Sequence, residues 1–156
     1  MGKKKSWKEK LQENKGLPKI VTLEGRMKEK WGEGTMVVPS PMDVKEIMDS
    51  IPAGKLITVA EIRSALARKF GATIACPLTT GIFTWIVANA AEEERMEGKK
   101  DITPYWRTLK SGGVLNDKYP GGAGAHKKLL EEEGFRVVEK GKKYVVMNYK
   151  KYLAEI

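Results

Sequence analysis

Residues 58–94 read TVAEIRSALARKFGATIACPLTTGIFTWIVANAAEEE, and this stretch decides the fold. Thr58 and Glu61 have the spacing of a capping box, in which two side chains satisfy the first backbone N–H groups of a helix. Apolar residues follow at helical spacing until Gly71, which is typical of a helix end. Pro77 is a favoured first-turn residue and opens a second apolar helix. Two helices joined by a short connection predict a helix-turn-helix.

A further helix and a basic segment precede this pair. The apolar residues before Pro52 have the i, i+3, i+4, i+7 spacing of a helix with one buried face. They are Val44, Ile47, Met48 and Ile51. Near the start of the chain we predict a short amphipathic helix at about residues 6–14, followed by an extended arm. We therefore divide the chain into a basic N-terminal arm, residues 1–38, and a domain, residues 39–156.

Turns and short strands are predicted after the helix-turn-helix. The charged residues 92–101 indicate a surface loop, and residues 102–109 are predicted to form a strand. The glycine-rich turns that follow, up to Gly122, suit a wing. A short helix is then expected at residues 125–133.

The C-terminal part of the chain is predicted to add a hairpin and a helix. Residues 135–138 and 144–147 flank Lys140-Gly141-Lys142 and indicate a β-hairpin. Asn148 is a suitable cap for a last helix. The predicted fold class is therefore mainly α with a small amount of β: a winged helix-turn-helix with a C-terminal β-hairpin and helix.

The charge of the chain favours a nucleic-acid partner. The formal net charge is +9 and the sequence pI is about 9.5. Residues 1–30 contain ten Lys or Arg against four Glu, and residues 104–128 contain five basic residues against one acid. Clustered cations bind phosphates by releasing counterions, although many soluble proteins are basic without binding DNA.

Other function classes are disfavoured by the composition. The chain has no apolar run of about 20 residues, the length that spans a bilayer, so we expect no membrane partner. One cysteine and one histidine permit neither an internal disulfide nor a Cys/His zinc site. We expect no metal and no cofactor. A cytoplasmic location is expected, with association with the nucleoid if the protein is bound to DNA.

Several short stretches occur in the order found in one protein family. They are residues 51–58, the two helices, Pro104-Tyr105-Trp106-Arg107, residues 113–122 and residues 129–134. Over about residues 40–135 the chain resembles the DNA-binding domain of the methylated-DNA–protein cysteine methyltransferases and the related alkyltransferase-like proteins. The resemblance implies a DNA-repair protein whose helix-turn-helix enters the minor groove of double-stranded DNA and swings a damaged guanine out of the stack.

The resemblance places the former alkyl-acceptor site at Tyr105, Trp106 and Arg107. The family has Pro-Cys-His-Arg where this chain has Pro104-Tyr105-Trp106-Arg107. A phenol with a pKa of ~10 is mostly protonated at neutral pH and is a poor alkyl acceptor, and an indole cannot act as a base. We therefore predict that the protein is not an enzyme. If residues 102–109 form a strand, Tyr105 and Trp106 point to opposite faces, one of them toward the former base pocket.

Other family positions divide into two groups. The tyrosine and arginine that flip the base in the family align with Val59 and Thr80. Three positions that support the scaffold match the family, and they are Asn89, Tyr119 and Glu133. We expect the Asn89 side chain to bond the backbone near Pro104.

DNA contacts are expected from the second helix and from basic side chains. The second helix is expected to contribute Thr79, Thr80, Phe83 and Thr84. Phosphate contacts are expected from Arg107, Lys110, Lys118, Lys127, Lys128 and the tail at residues 3–10. Arg107 has the alternative of pairing with Glu133, and His126 is expected to be solvated on the surface of its helix.

Two alternatives to a DNA-binding protein remain open from the sequence. Cys76 precedes Pro77 at a helix N-terminus, a position that favours a thiolate, so a methyltransferase-type enzyme could use it as the nucleophile. A protein-interaction module on the same fold is the other alternative, because fold does not dictate function. That module would have its apolar second helix covered by a protein partner or by the N-terminal arm.

Overall fold

The computed structural model describes residues 6–13 and 15–156 of the chain. The α-helices are α1 (Trp7–Gln12), α2 (Gly25–Trp31), α3 (Pro41–Asp49), α4 (Val59–Phe70), α5 (Pro77–Met96) and α6 (Gly122–Glu132). The strands are β1 (Lys19–Thr22), β2 (Thr35–Val38), β3 (Ile57–Thr58), β4 (Ile74–Ala75), β5 (Thr108–Leu109), β6 (Val137–Lys140) and β7 (Lys143–Val146). Turns of 3-10 helix lie at Tyr105–Arg107, Ser111–Gly113 and Tyr149–Tyr152. The described chain is thus mainly α with small β-sheets.

The central helices begin and end as their local sequence dictates. The carboxylate of Glu61 accepts hydrogen bonds from the Thr58 N–H (3.1 Å) and hydroxyl (2.6 Å), which confirms the predicted start of α4. Gly71 ends α4 in the left-handed conformation at φ +65°. Helix α5 extends to Met96, so the prediction of a loop over residues 92–101 is wrong in its first half. An ion pair between Arg95 and Glu92, one turn apart, stabilises this extension.

The N-terminal segment is not an extended arm. It contains β1, α2 and β2. Strand β2 pairs in parallel with β4, which lies between α4 and α5, so the segment and the connection of the two central helices form one three-stranded sheet. Helix α1 packs along α5, where the rings of Trp7 and Trp85 meet edge to face at 4.8 Å. Leu11 is 3% exposed and belongs to the same core as the central helices. Burial of apolar surface therefore holds the segment against the rest of the protein.

The predicted strand over residues 102–109 is wrong for most of its length. Residues Tyr105–Arg107 form a 3-10 turn after Pro104, and only β5 is extended, pairing in parallel with β3. The N–H of Arg107 reaches back to the Pro104 carbonyl at 3.1 Å, which closes the turn. Adjacent residues of this turn do not alternate between two faces, so the strand argument for Tyr105 and Trp106 does not apply.

The C-terminal residues form a hairpin and then close against the middle of the chain. Strands β6 and β7 confirm the predicted β-hairpin. The predicted last helix is wrong: only a single 3-10 turn forms, and Asn148 before it has φ +58° and makes no side-chain capping bond. Leu56, fully buried before β3, donates its N–H to the Tyr152 carbonyl and accepts from the Ala154 N–H, both at 2.8 Å. No helix in the part of the chain that the structure describes has the length and apolarity to cross a membrane.

Candidate nucleic-acid interface

A cavity of about 750 Å³ lies between the N-terminal half of α5 and residues 110–118, which we call the 110–118 loop. The residues around it are Val59, Pro77, Leu78, Gly81, Ile82, Thr84, Trp85, Lys110, Ser111, Asn116 and Lys118. Two apolar side chains of α5 face outward here, since Leu78 is 72% exposed and Ile82 is 42% exposed. They are one helical turn apart and form a single apolar edge. We call this cavity the α5 groove.

Helix α5 turns its threonines toward the core, contrary to expectation. Thr80 and Thr84 are fully buried, and their hydroxyls donate to the carbonyls of Cys76 and Gly81, each at 2.7 Å. Because both side chains are fully buried, neither hydroxyl is presented at the surface of the helix. Burial therefore speaks against the predicted DNA contacts of Thr80 and Thr84, and the exposed face is the one that carries Leu78.

The other two predicted helix contacts lie off this face as well. Phe83 is half-buried against the N-terminal segment, in a cavity that it shares with Leu17 and Pro41. The Thr79 hydroxyl is half-buried and donates to the Cys76 sulfur at 3.1 Å. Helix α1 and the segment after it thus cover part of α5, as a protein-interaction module would require. They leave the Leu78 edge open.

Tyr105 does not line the α5 groove. It is 2% exposed, its ring packs edge-on against Tyr119 (5.3 Å), and its hydroxyl donates to Glu92 at 3.3 Å. Tyr105 borders a second cavity of about 790 Å³, whose lining includes Arg95 and Lys128. Burial, reinforced by the charge of Glu92, raises the pKa of the Tyr105 phenol to about 12. The phenol at this position is therefore a neutral hydrogen-bond donor.

Arg107 forms a half-buried ion pair with Glu133. Its Nε lies 3.1 and 3.0 Å from the two carboxylate oxygens, and its Nη1 donates to the Ile51 carbonyl at 2.7 Å. The same carboxylate accepts from the indole N–H of Trp106. Burial raises the pKa of Glu133, but the hydrogen bonds from Arg107 and Trp106 outweigh it and leave the pKa below its usual value. Of the two alternatives for Arg107, pairing with Glu133 is therefore the one observed. Its guanidinium binds Glu133 and the Ile51 carbonyl within the fold.

His126 is buried, which makes the expectation of a solvated surface histidine wrong. Its ring is 1% exposed; Nδ1 accepts from the Asn116 N–H at 3.1 Å, and Nε2 lies 2.7 Å from the Trp106 carbonyl. A carbonyl only accepts, so Nε2 must carry the hydrogen and the ring is neutral. Burial lowers the pKa of His126 to about 4. The imidazole therefore connects the Tyr105–Arg107 turn to the 110–118 loop.

The two remaining residues that were expected to support the scaffold, Tyr119 and Asn89, both bond to backbone carbonyls. Tyr119 is 2% exposed and donates its hydroxyl to the Thr108 carbonyl at 3.1 Å, inside the fold. Asn89 donates to the carbonyl of Trp85 in its own helix at 2.9 Å, so the expected bond to the backbone near Pro104 is not formed.

Cys76 lies directly before α5 and is half-buried. Its sulfur accepts the hydroxyl of Thr79, and its N–H donates to the Val37 carbonyl at 2.9 Å. The imidazole of His126, the one histidine of the sequence, has both nitrogens engaged with Asn116 and Trp106. Cys76 therefore lacks the neighbouring histidine base that activates a nucleophilic thiol.

Comparison with known proteins bears on the fold. Neither protein-family models nor curated protein sequences give a match to the chain. Two solved structures do match, each with a TM-score of 0.53 and each covering 74% of this chain and 94% of the other. One is S. pombe Atl1 in complex with damaged DNA containing O6-carboxymethylguanine (23% identity), and the other is S. pombe ATL in complex with DNA (21% identity). The chain has an alkyltransferase-like fold. At this identity the likeness extends to the fold alone.

Two of the predicted basic side chains flank the α5 groove of this fold. Lys110 and Lys118 are exposed at its edge and form no ion pair with another residue of the described ranges. Lys127 lies over the Tyr144 ring at 5.3 Å, and Lys128 is exposed beside the second cavity. These four are thus distributed over more than one surface.

In the N-terminal tail, Lys8 contacts the C-terminal end of α5. Lys8 forms an ion pair with Glu97 (2.6 Å) and donates its N–H to Glu93. Lys10 lies over the ring of Trp7 at 4.2 Å. Residues 3–5 lie outside the described residues. The acidic end of α5 is neutralised by such pairs, which include Glu94 with Lys99 (3.1 Å).

The sequence interpretation counted Leu78 and Ile82 in the apolar stripe of the second helix and did not include them among the DNA contacts, but both are exposed. The structure shows which face of α5 is buried: three- and four-residue steps back from Ala91 lead through Val87 to Thr84 and Thr80. The opposite face then begins with Leu78.

Proposed function

We propose that the protein is a non-enzymatic DNA-binding protein that holds double-stranded DNA at the α5 groove. The observation that carries this proposal is an exposed apolar edge, Leu78 and Ile82, flanked by Lys110 and Lys118. Apolar side chains that enter between base steps, beside cations that neutralise phosphates, are the combination used by minor-groove binders. The DNA complexes of the S. pombe proteins with the same fold support this choice of partner.

In this proposal α4 and α5 act as the helix-turn-helix, and the 110–118 loop with the β6–β7 hairpin acts as the wing. Helix α5 approaches the minor groove with Leu78 foremost, because Thr80, the position that resembles the family's intercalating arginine, is buried. The domain of residues 39–156 carries this surface, and its proposed setting is DNA repair inside the cell. The damaged guanine in the S. pombe Atl1 complex supports a test with alkylated DNA.

Salt dependence of binding tests the electrostatic part. Fluorescence anisotropy of a labelled duplex, titrated at several salt concentrations, should give a log–log slope of about −0.9 per neutralised phosphate. Lys110→Gln and Lys118→Gln should each make this negative slope shallower by about 0.9. Lys100→Gln is the matched control, because Lys100 is exposed beyond the far end of α5 and, like the two test lysines, forms no ion pair with a described residue. Absence of binding at low salt, or an equal effect of the control, would overturn the proposal.

The apolar edge is tested by shortening its most exposed side chain. Leu78→Ala should weaken duplex binding about tenfold, roughly 1.4 kcal/mol, because a wedge buried only in the complex is lost. The Tm of the free protein should stay the same, since the side chain is 72% exposed. Met96→Ala is the control, because Met96 is 77% exposed at the other end of α5. Equal affinities of the wild type and Leu78→Ala would remove the wedge from the proposal.

The proposal does not include alkyl transfer, because neither Tyr105 nor Cys76 is activated as a nucleophile. The Tyr105 phenol is buried and protonated at neutral pH, and Cys76 has no histidine base beside it. After incubation with O6-alkylguanine duplex, intact-mass measurement should give the mass of the unmodified protein. A gain of one alkyl group that disappears in Cys76→Ser would contradict the non-enzymatic assignment. Tighter binding of the alkylated duplex than of the plain duplex is expected for a repair protein.

A further inference from the structure

We propose that the C-terminal hairpin and the 3-10 turn after it form a second phosphate-binding surface, which extends the contact with the duplex beyond the α5 groove. Four exposed lysines, which we call the lysine face, make up this surface. They are Lys140, Lys143, Lys150 and Lys151. The inference rests on the proposed function and names an additional part of the protein that holds the same DNA.

The register of the hairpin separates its charges by face. Lys140 lies opposite Lys143, two residues along each strand from the pair Val138 and Val145, so all four share a face. Glu139 is shifted by one residue and belongs to the other face, which carries the buried Val146. Lys140 and Lys143 are therefore on the outer face of the hairpin, away from its one acidic residue, and Lys150 and Lys151 belong to the 3-10 turn that follows.

The lysine face has no counter-charge within the described parts of the protein. Lys140 and Lys143 are direct cross-strand neighbours, and like charges at such positions repel. None of the four lysines forms an ion pair with a described residue, whereas lysines elsewhere do. Lys28, Lys45, Lys69 and Lys99 are examples of paired lysines. A polyanion such as a DNA backbone relieves this repulsion, because its phosphates supply the missing negative charges.

The lysine face adjoins the α5 groove through one loop. A groove of about 540 Å³ lies between Lys140, Lys150, Lys151 and Gly112 of the 110–118 loop. The neighbouring Ser111 lines the α5 groove, so the same loop borders both sites. The loop is joined to the hairpin by a Leu115 N–H bond to the Tyr144 carbonyl at 3.0 Å. This adjacency favours one duplex lying across both sites over a separate acidic protein partner.

The experiment uses the full chain and the same salt titration of duplex binding. Lys140→Gln/Lys150→Gln/Lys151→Gln should reduce the log–log slope by about 2.7, which is 0.9 for each lost phosphate contact. Its Tm should equal or exceed that of the wild type, since repelling charges are removed. The control is a triple variant with the same loss of charge, Lys28→Gln/Lys45→Gln/Lys69→Gln, whose slope should match that of the wild type.

The possible failures are distinguishable. If the wild type does not bind duplex at all, both the proposed function and this inference are overturned. If Lys110→Gln and Lys118→Gln lower the slope while the lysine-face variant keeps the wild-type slope, the inference alone is overturned. An equal drop in slope for the control triple variant also overturns it, because net charge and not position then sets the affinity.

Discussion

Acidification acts on this fold through the buried imidazole of His126. The ring is neutral in the folded protein, where it accepts a hydrogen bond from Asn116 and donates one to the Trp106 carbonyl. Protonation would put a second N–H where Nδ1 now accepts and would place a charge in a buried site. The folded state therefore resists a proton that the unfolded chain accepts, and the pKa of His126 is lowered to about 4 from its ordinary 6.5.

The magnitude follows from this difference in pKa. Above pH 6.5 neither state binds the proton and the free energy of unfolding is unaffected. Between pH 6.5 and about 4 the unfolded state binds it alone, so stability falls by up to about 1.36 kcal/mol per pH unit. From about pH 7.5 to pH 4.5 the loss amounts to roughly 2.5 kcal/mol. Glu133 acts in a lower window, because its folded pKa lies below the usual value and its contribution is lost only as the pH falls through it.

Chemical denaturation at a series of pH values measures this loss. The control is His126→Gln, whose amide can make both hydrogen bonds without titrating; its stability should lack the His126-dependent decrease between about pH 6.5 and pH 4.5. His126 is the one histidine in the sequence, so its NMR titration needs no assignment by mutation. Parallel pH dependences for the wild type and the variant, or an imidazole titration near pH 6.5, would falsify the account.

Three further substitutions have expected effects on stability, each measured as the Tm and the free energy of unfolding. Glu133→Ala should cost about 2–4 kcal/mol, because it leaves the half-buried guanidinium of Arg107 without its partner; a loss below about 1 kcal/mol would contradict this. Gly113→Ala should cost about 1–3 kcal/mol, since Gly113 has φ +79° and its added methyl would overlap the ring of Tyr149, and an unchanged Tm is the contrary outcome. Tyr105→Phe should cost about 1 kcal/mol or less, because it removes one long hydrogen bond and keeps the packing; unfolding at room temperature would refute that.

Structural features with local causes could be predicted from the sequence. The capping box at Thr58 and Glu61, the helix end at Gly71 and the β6–β7 hairpin each depend on residues within a few positions of one another. The Arg107–Glu133 pair was among the alternatives because both residues matched positions of one family. Such signals specify where elements start and stop, and they do so without tertiary information.

Features that depend on distant partners could not be predicted in this way. Helix α5 is apolar on most sides, so its periodicity does not say that Thr80 faces the core and Leu78 the solvent. The strand β2 is enclosed between β1 and β4, and its partner residues in β4 lie 38 positions further on (Met36 with Ile74). His126 is polar by type, and its burial depends on a backbone N–H and a carbonyl that two other segments supply.

The bond between Leu56 and the end of the chain has a consequence for the order of folding. Leu56 precedes the helix-turn-helix, yet its N–H and carbonyl are satisfied by residues 152 and 154. During synthesis this buried leucine lacks its partners until almost the whole described chain has left the ribosome. Truncation after residue 150 should therefore loosen the start of α4, nearly a hundred residues upstream.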